Sequence, residues 1–161
     1  MFKLDATVDG VPQLINRLKG FEPDIYKILQ KDVRAAADTI GSTARGLIPA
    51  SPPTEPSHWL YGGRLGFDQS VVQRSIKPGF RTRNVGGTRV VSGVVRMSSP
   101  AGALYAASGS KDNSMLGRKL NANNGTVYPR ALGPAWTMHV DAAREGIIAA
   151  VHAAAERVTN G

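Results

Sequence analysis

Apolar and polar positions along the chain predict helices on either side of a small set of strands. Residues 2–8 alternate between apolar and polar side chains, which is the period of a short half-buried strand. Three apolar side chains between residues 14 and 18 indicate a short helix that ends at Gly20. From residue 23 to 47, apolar side chains recur mostly three and four residues apart. This spacing predicts a long amphipathic helix with one buried face, stopped by Pro49.

The middle of the chain is predicted to form strands, and its end a second long helix. Residues 69–77 fit either a strand or a short helix. Residues 88–98 form the clearest strand, because four valines supply β-branched side chains on both faces. A further strand is expected at 103–107. Pro134 then begins a helix whose apolar side chains, from Trp136 onward, step by three and four to the end of the chain.

Two segments lack such periodicity and are predicted to be long loops. The first, at about 49–66, is rich in proline, and the second, at about 108–127, is rich in glycine, asparagine and serine. The length of 161 residues suits one domain. We therefore expect a single α+β domain over residues 1–161, in which a small antiparallel sheet packs against a long N-terminal helix and a C-terminal helix.

Positive charge is concentrated in the middle of the chain. The formal net charge is +8. Residues 1–60 contain seven basic and seven acidic side chains, residues 61–130 contain eleven and two, and residues 131–161 contain two and three. Such a segment indicates a polyanion or an acidic protein surface as neighbour, or a solvated basic surface. Arginines spread over strands and loops fit contact with phosphate backbone better than base readout, and equally fit an acidic protein interface.

No arrangement of residues in the sequence predicts catalysis. The chain has no cysteine and three histidines, so thiol chemistry is excluded and a zinc site with three or four protein ligands is not expected. Residues 61–130 contain only Asp68 and Asp112 as acids, too few for a usual nuclease or glycosidase site. The sequence also lacks a signal-peptide pattern at its start and an apolar run of membrane-spanning length. We expect no enzyme activity, no cofactor, no metal and no membrane association.

Four short motifs, each in two parts or one, follow one another along the chain. They are GVPQL at 10–14 with ARGLIP at 44–49, GGRL at 62–65 with SI at 75–76, LYA at 104–106 with GS at 109–110, and YPRALGPAW at 128–136. In this order they resemble the neck and tail-completion proteins of long-tailed bacteriophages, a head-to-tail joining family often described as minor tail proteins. The resemblance covers most of the chain. The second motif is more widely spaced than in the family, and Ala107-Ser108 stand where the family usually has an acid.

The resemblance implies a structural virion protein of the phage neck that is assembled in the host cytoplasm. Copies would form a homo-oligomeric ring between the DNA-filled head and the tail, with genomic DNA passing through the centre. Its neighbours would be a portal-proximal connector or head-closure protein and a tail terminator or tail tube protein.

Partner contacts are expected from the two predicted loops and the basic segment. The candidate residues are Trp59, Tyr61, Arg64, Arg81, Arg83, Lys111, Arg118, Lys119 and Arg130. The alternative interpretation is a non-enzymatic nucleic-acid-binding protein that uses the basic segment 61–130.

Overall fold

The structure is a computed structural model. The residues that the structure describes are 2–6, 14–15, 18, 23–50, 66–85, 88–108, 115–124 and 129–160. The elements, in chain order, are β1 (Phe2–Ala6), α1 (Pro23–Gly46), α2 (Gln69–Ser75), β2 (Ile76–Val85), β3 (Thr88–Met97), α3 (Pro100–Ala107), α4 (Met115–Asn124) and α5 (Leu132–Asn160). The residues described between β1 and α1 are helical, as the sequence predicts.

Strand β3 is the centre of a sheet whose order is β1-β3-β2 in the described part of the chain. Strand β1 runs antiparallel to β3, with Phe2 opposite Val95 and Ala6 opposite Val91. Residues 90–95 of β3 are all buried. A strand covered on both faces tolerates the run of valines that made this segment the clearest strand in the sequence.

The chain divides into two compact units. Unit 1 consists of Met1–Thr39, Pro78–Val95 and His139–Gly161, and unit 2 of Ile40–Lys77 and Arg96–Met138. Each unit is assembled from segments that are far apart in the sequence. The expectation of one domain over residues 1–161 stays a prediction.

In unit 1, the sheet packs against α1 and α5 at Gly93 of the central strand. A Cβ atom built on Gly93 would lie 3.0 Å from Ile147 Cδ1 of α5 and 3.2 Å from Ala37 Cβ of α1. All three positions are buried, so the two helices and the strand meet with little spare volume.

Further contacts in unit 1 join the helices to each other and to β2. A Cβ atom built on Gly146 of α5 would lie 3.0 Å from Ala36 Cβ of α1. The rings of Tyr26 in α1 and Phe80 in β2 meet edge to face, with centroids 5.8 Å apart. The predicted α+β fold, with a small antiparallel sheet against a long N-terminal and a C-terminal helix, is confirmed.

The expected strand at 103–107 is wrong, because this segment belongs to helix α3. Ser99 caps the helix, since its side-chain oxygen accepts a hydrogen bond from Gly102 N at 3.0 Å. Pro100 occupies the first turn, where its missing N–H costs nothing. A Cβ atom on Gly102 would lie 2.6 Å from Ser99 Oγ, so this capping geometry requires glycine there.

The predicted loop at 108–127 is wrong over Met115–Asn124, which forms helix α4. Leu116 is half-buried and Leu120 is fully buried in unit 2. Two leucines four residues apart lie on one face of a helix, but neighbouring glycine and asparagine weaken the pattern in the sequence. Of the other predicted loop, residues 49–50 and 66 have neither helix nor strand structure, and 51–65 lie outside the described residues.

The ambiguous segment 69–77 contains both alternatives in succession, helix α2 and then the start of β2. Asp68 determines where α2 begins, because its Oδ1 accepts hydrogen bonds from Val71 N at 3.1 Å and Ser70 Oγ at 2.7 Å. Strand β2 then passes through Pro78, which a sheet tolerates on an edge strand.

Replacing Asp68 with alanine is expected to lower the melting temperature at neutral pH but not in strong acid. The hydrogen bond from Ser70, and then that from the Val71 N–H, lower the pKa of the Asp68 carboxyl. Its folded-state pKa therefore lies below the unfolded value of about 3.9. The stabilisation is present above that value and is lost as the pH falls through the folded-state pKa. Melting curves from pH 7 to pH 2 test this.

The matched control is Ser70→Ala, which removes the largest cause of the lowered pKa and should weaken the pH dependence. An equal difference in melting temperature between the wild type and Asp68→Ala at pH 7 and pH 2 would contradict the assignment.

Candidate functional site

The nine predicted contact residues have three different outcomes. Five lie among the described residues, and only one of these is buried. The remaining four, which are Trp59, Tyr61, Arg64 and Lys111, lie outside the described residues. Their predicted role stays a prediction.

Arg81 and Arg83 are exposed on one face of β2. Residues two apart on a strand share a face, and Phe80, which directly precedes Arg81, lies on the other face. Because the Phe80 ring contacts Tyr26, the face of Phe80 is the one toward α1. The two arginines therefore lie on the face of β2 that is turned away from α1.

Helix α4 presents Arg118 to solvent, and Lys119 is half-buried. The helix is anchored on its other side by Leu120, whose exposure is 0%, and by Asn121. The geometry is consistent with the prediction that Arg118 is available to a partner.

Arg130 was predicted to contact a partner, but it is buried, with 2% of its surface exposed. Its Nη1 donates hydrogen bonds to the carbonyl oxygens of Tyr105 at 2.9 Å and Ser108 at 2.7 Å. Its Nη2 donates to Asn121 Oδ1 of α4. Its backbone N–H donates to the carbonyl oxygen of Ala106 at 3.1 Å. The side chain lies inside unit 2 rather than on a contact surface.

Arg130 acts as a cap for α3 that comes from a distant segment of the chain. The last carbonyls of a helix have no partner within the helix and carry partial negative charge. A guanidinium group is always charged and carries several donors in a fixed plane, so one side chain can satisfy several carbonyls. In the sequence, the signal is a lone arginine within the otherwise apolar and turn-forming motif at 128–136.

A tight turn directs the chain from Arg130 into α5. Ala131 has a φ of 66°, in the left-handed region that alanine rarely adopts. The Leu132 N–H donates to the Arg130 carbonyl at 2.8 Å, and the Gly133 N–H donates to the Pro129 carbonyl at 2.6 Å. These bonds hold the strained residue in place.

The Tyr105 side chain is packed beside this cluster. Its residue is 3% exposed, and its ring meets that of Phe67 edge to face at 6.0 Å. Burial raises the pKa of the Tyr105 phenol, and the positive charge of Arg130 opposes the rise. The phenol is therefore neutral at physiological pH.

A second junction in unit 2 ties the end of α1 to α2. Arg45 Nε donates to the Ile76 carbonyl at 3.3 Å. Gln73 Nε2 donates to the Arg45 carbonyl at 3.0 Å, and Gln69 Nε2 donates to the Ile48 carbonyl at 2.9 Å. The glutamines stand four apart on one face of α2 and satisfy one carbonyl in the last turn of α1 and one just beyond it. Sequence reasoning missed both, although their spacing is visible once 69–75 is taken as a helix.

Serine side chains connect the end of α2 to the start of α3. The Ser75 hydroxyl donates to the Val72 carbonyl at 2.7 Å and lies 3.2 Å from Ser99 Oγ. The Ser98 N–H donates to the Ser75 carbonyl at 3.2 Å. Most of these bonds satisfy backbone groups, so this junction positions helices.

Among the described ranges, no cluster of three or more His, Cys, Asp or Glu side chains is arranged to hold a metal ion. Within the same ranges, no helix is both long and apolar enough to cross a membrane. Comparison with known proteins finds no matching family model, no matching curated protein and no matching solved structure.

Proposed function

We propose that the chain is a structural protein of the phage neck, where copies form a ring that joins the DNA-filled head to the tail. The observation that carries this proposal is the arrangement of the four motifs that resemble the head-to-tail joining family. In unit 2, the ARGLIP, SI and LYA segments and residues 129–136 are separated in sequence but hydrogen-bonded to one another in two pairs. Motifs that meet in this way support one inherited fold better than four independent matches would.

The first pair joins the end of the first motif to the second. Arg45 lies in the ARGLIP segment and Ile76 in the SI segment, and the Arg45 side chain donates to the Ile76 carbonyl. The residues are 31 positions apart. The contact gives a physical reason for an arginine at the end of α1.

The second pair joins the third motif to the fourth. Arg130 of YPRALGPAW donates to carbonyls of Tyr105 and Ala106 of the LYA segment. Its side chain also donates to the carbonyl oxygen of Ser108, which follows that segment. The arginine is thus used for assembling helices and not for contact with a partner.

Both junctions hold helix ends together, which supports a structural role for the chain. Their side chains satisfy helix ends, whereas Arg81 of β2 and Arg118 of α4 are exposed to possible neighbours. In the proposed ring, these neighbours are further copies of the chain, a connector protein on the head side and a terminator or tube protein on the tail side. The proposed role is non-enzymatic.

Disruption of this reading frame in its source, followed by negative-stain microscopy of the lysate, tests the proposal. We expect filled heads and complete tails that remain unjoined, because the connecting ring would be missing. Supplying the wild-type chain in trans should restore joined particles. Normal virions from the disrupted frame would contradict the proposal, as would loss of heads or tails themselves.

Non-enzymatic nucleic-acid binding is a second candidate function. The observation that favours it is the exposure of Arg81 and Arg83 together on one strand face.

A further inference from the structure

We propose that Lys77 of β2 and Arg96 of β3 form a binding site for a phosphate group of the double-stranded DNA backbone. The inference rests on the second candidate function and does not depend on assembly into a neck. It assigns phosphate contact to two side chains that lie opposite each other on neighbouring strands.

Most of the excess positive charge belongs to unit 2. Residues 40–77 and 96–138 contain nine basic and three acidic side chains, whereas unit 1 contains eleven and nine. The two units are interleaved in the sequence, so this division becomes visible only in the fold. A surface with charge mostly of one sign attracts a polyanion, and we therefore expect phosphate contacts in unit 2.

The hydrogen bonding between β2 and β3 places Lys77 directly opposite Arg96. The strands are neighbours in the sheet and only two residues separate them in the sequence, so they run antiparallel. The Ser98 N–H donates to the Ser75 carbonyl at 3.2 Å. This bond pairs residue 75 with 98 and, two positions further along each strand, residue 77 with 96. Opposite residues project from the same face, with Cβ atoms ~4.5–5.5 Å apart.

The two like charges oppose each other without an acid to neutralise them. Lys77 and Arg96 are both exposed. Within the part of the chain that the structure describes, neither side chain forms an ion pair or a hydrogen bond. Like charges directly opposite on neighbouring strands destabilise a sheet. An anion bound by both would relieve the repulsion and stabilise the folded chain.

The acid that unit 2 contributes to the described residues is Asp68, and it is used elsewhere. Its carboxylate accepts the hydrogen bonds that cap α2. The seven residues of α2 separate it from the start of β2 by about 10 Å. The other two acids of the unit, Glu55 and Asp112, lie outside the described residues.

The described acids of unit 1 are also distant from the pair or on the other face of the sheet. Asp5 of β1 lies opposite Ser92, which is four residues along β3 from Arg96, or about 13 Å. The six others lie on α1 and α5. These helices contact the face of β3 to which Gly93 belongs. Arg96 is three residues further along the strand and therefore lies on the opposite face.

A phosphate group fits this pair of cations. A guanidinium has paired donors that match two phosphate oxygens, and an ammonium adds a compact positive charge to the same group. At this Cβ separation the two flexible side chains reach one anion together. DNA presents phosphates along its whole length, so it also matches the remaining excess of positive charge on unit 2. An acidic protein would need carboxylates placed to match separate cations.

The test compares two double variants that each remove one lysine and one arginine. Lys77→Gln with Arg96→Gln removes the proposed site. Lys31→Gln with Arg34→Gln is the control, because these exposed cations are also neighbours, about 5–6 Å apart on α1, but share that helix with three acids. Binding of the full chain to a fluorescein-labelled 20-base-pair duplex is measured by anisotropy between 50 and 200 mM NaCl. Circular dichroism melting verifies that both variants are folded.

For the wild type we expect a Kd of about 1–100 µM, the range of sequence-independent DNA binding. Loss of one phosphate contact should make the slope of log K against log salt shallower by about 0.9 and weaken binding about eightfold at about 0.1 M salt. The α1 variant should keep the wild-type slope and lose less than about threefold in affinity.

A third variant, Arg96→Glu, separates binding from folding. It places an acid opposite Lys77, so its melting temperature without DNA should equal or exceed that of the wild type. Its affinity for the duplex should fall at least as far as that of Lys77→Gln with Arg96→Gln. A lower melting temperature would overturn the inference, because the arginine would then serve the fold.

Four binding results would also overturn the inference. Equal weakening by both double variants would mean that only net charge matters, and the second candidate function would still stand. No binding by the wild type at 100 µM protein in 50 mM salt would remove that function as well. Displacement of the duplex by 10 mM inorganic phosphate, but not by chloride of equal ionic strength, would assign the site to free phosphate. Tighter binding of poly-L-glutamate than of DNA, with the same dependence on the pair, would assign it to an acidic protein. None of these results bears on whether heads and tails join.

Discussion

Replacement of Arg130 with methionine is expected to lower the free energy of unfolding by about 3–5 kcal/mol, which is a large part of the stability of a domain of this size. Methionine fills much of the same volume but has no donors. The carbonyls of Tyr105 and Ser108 and the amide oxygen of Asn121 would lose hydrogen bonds inside unit 2. Each buried acceptor left unsatisfied costs about 1–3 kcal/mol.

The measurement is urea denaturation followed by circular dichroism, with Arg118→Met as the matched control. Arg118 is exposed on α4, so the same chemical change there should alter stability by less than about 0.5 kcal/mol. Arg130→Lys keeps the charge and loses the planar set of donors, and it should lie between the wild type and Arg130→Met. Equal stabilities of Arg130→Met and Arg118→Met would show that the buried hydrogen bonds contribute nothing.

Replacement of Gly93 with valine is expected to cost about 3 kcal/mol through overpacking between the sheet and its two helices. A Cβ atom there would already lie 3.0 Å from Ile147 Cδ1, 3.2 Å from Ala37 Cβ and 3.6 Å from the Val33 carbonyl oxygen. Valine adds two further methyl groups to a position where both helices meet the central strand. The intrinsic preference of valine for strands would favour the substitution, so a loss of stability would be due to crowding of the added side chain.

Two controls separate crowding from loss of glycine itself. Gly46→Ala adds a Cβ atom where nothing lies within 4 Å, and it should be neutral or slightly stabilising. Ile147→Val removes the Cδ1 atom, so its combination with Gly93→Ala should be more stable than the sum of the single changes predicts. Additive effects in this double-mutant cycle, measured by thermal denaturation, would contradict direct contact.

Most of the fold could be predicted from the sequence because its main elements carry strong periodic patterns. The long helix expected at 23–47 is Pro23–Gly46, the strand expected at 88–98 is Thr88–Met97, and the final helix begins two residues before the predicted Pro134. Local capping residues and long apolar stripes determine these elements, so distant contacts are not needed to recognise them.

The elements that sequence reasoning missed are short and have weak patterns. Helix α3 begins at a serine cap followed by proline, but its apolar residues fit a strand equally well over five positions. Helix α4 lies in a segment rich in glycine and asparagine, and Leu120 becomes informative only when its burial is known. Short helices of this kind depend on tertiary contacts because their own hydrogen bonds barely offset the cost of nucleation.

The sequence by itself determined the α+β class, the two long helices, the strand at the centre of the sheet and the excess of positive charge between residues 61 and 130. Only the tertiary structure decided how that charge is used. Arg81 and Arg83 are exposed on one strand face. Arg130 is buried and caps helix α3, where its acceptor Tyr105 lies 25 residues earlier in the sequence. The physical reason is that an arginine has the same charge and length in either place, and only the groups that the fold brings around it determine whether water or backbone carbonyls take its hydrogen bonds.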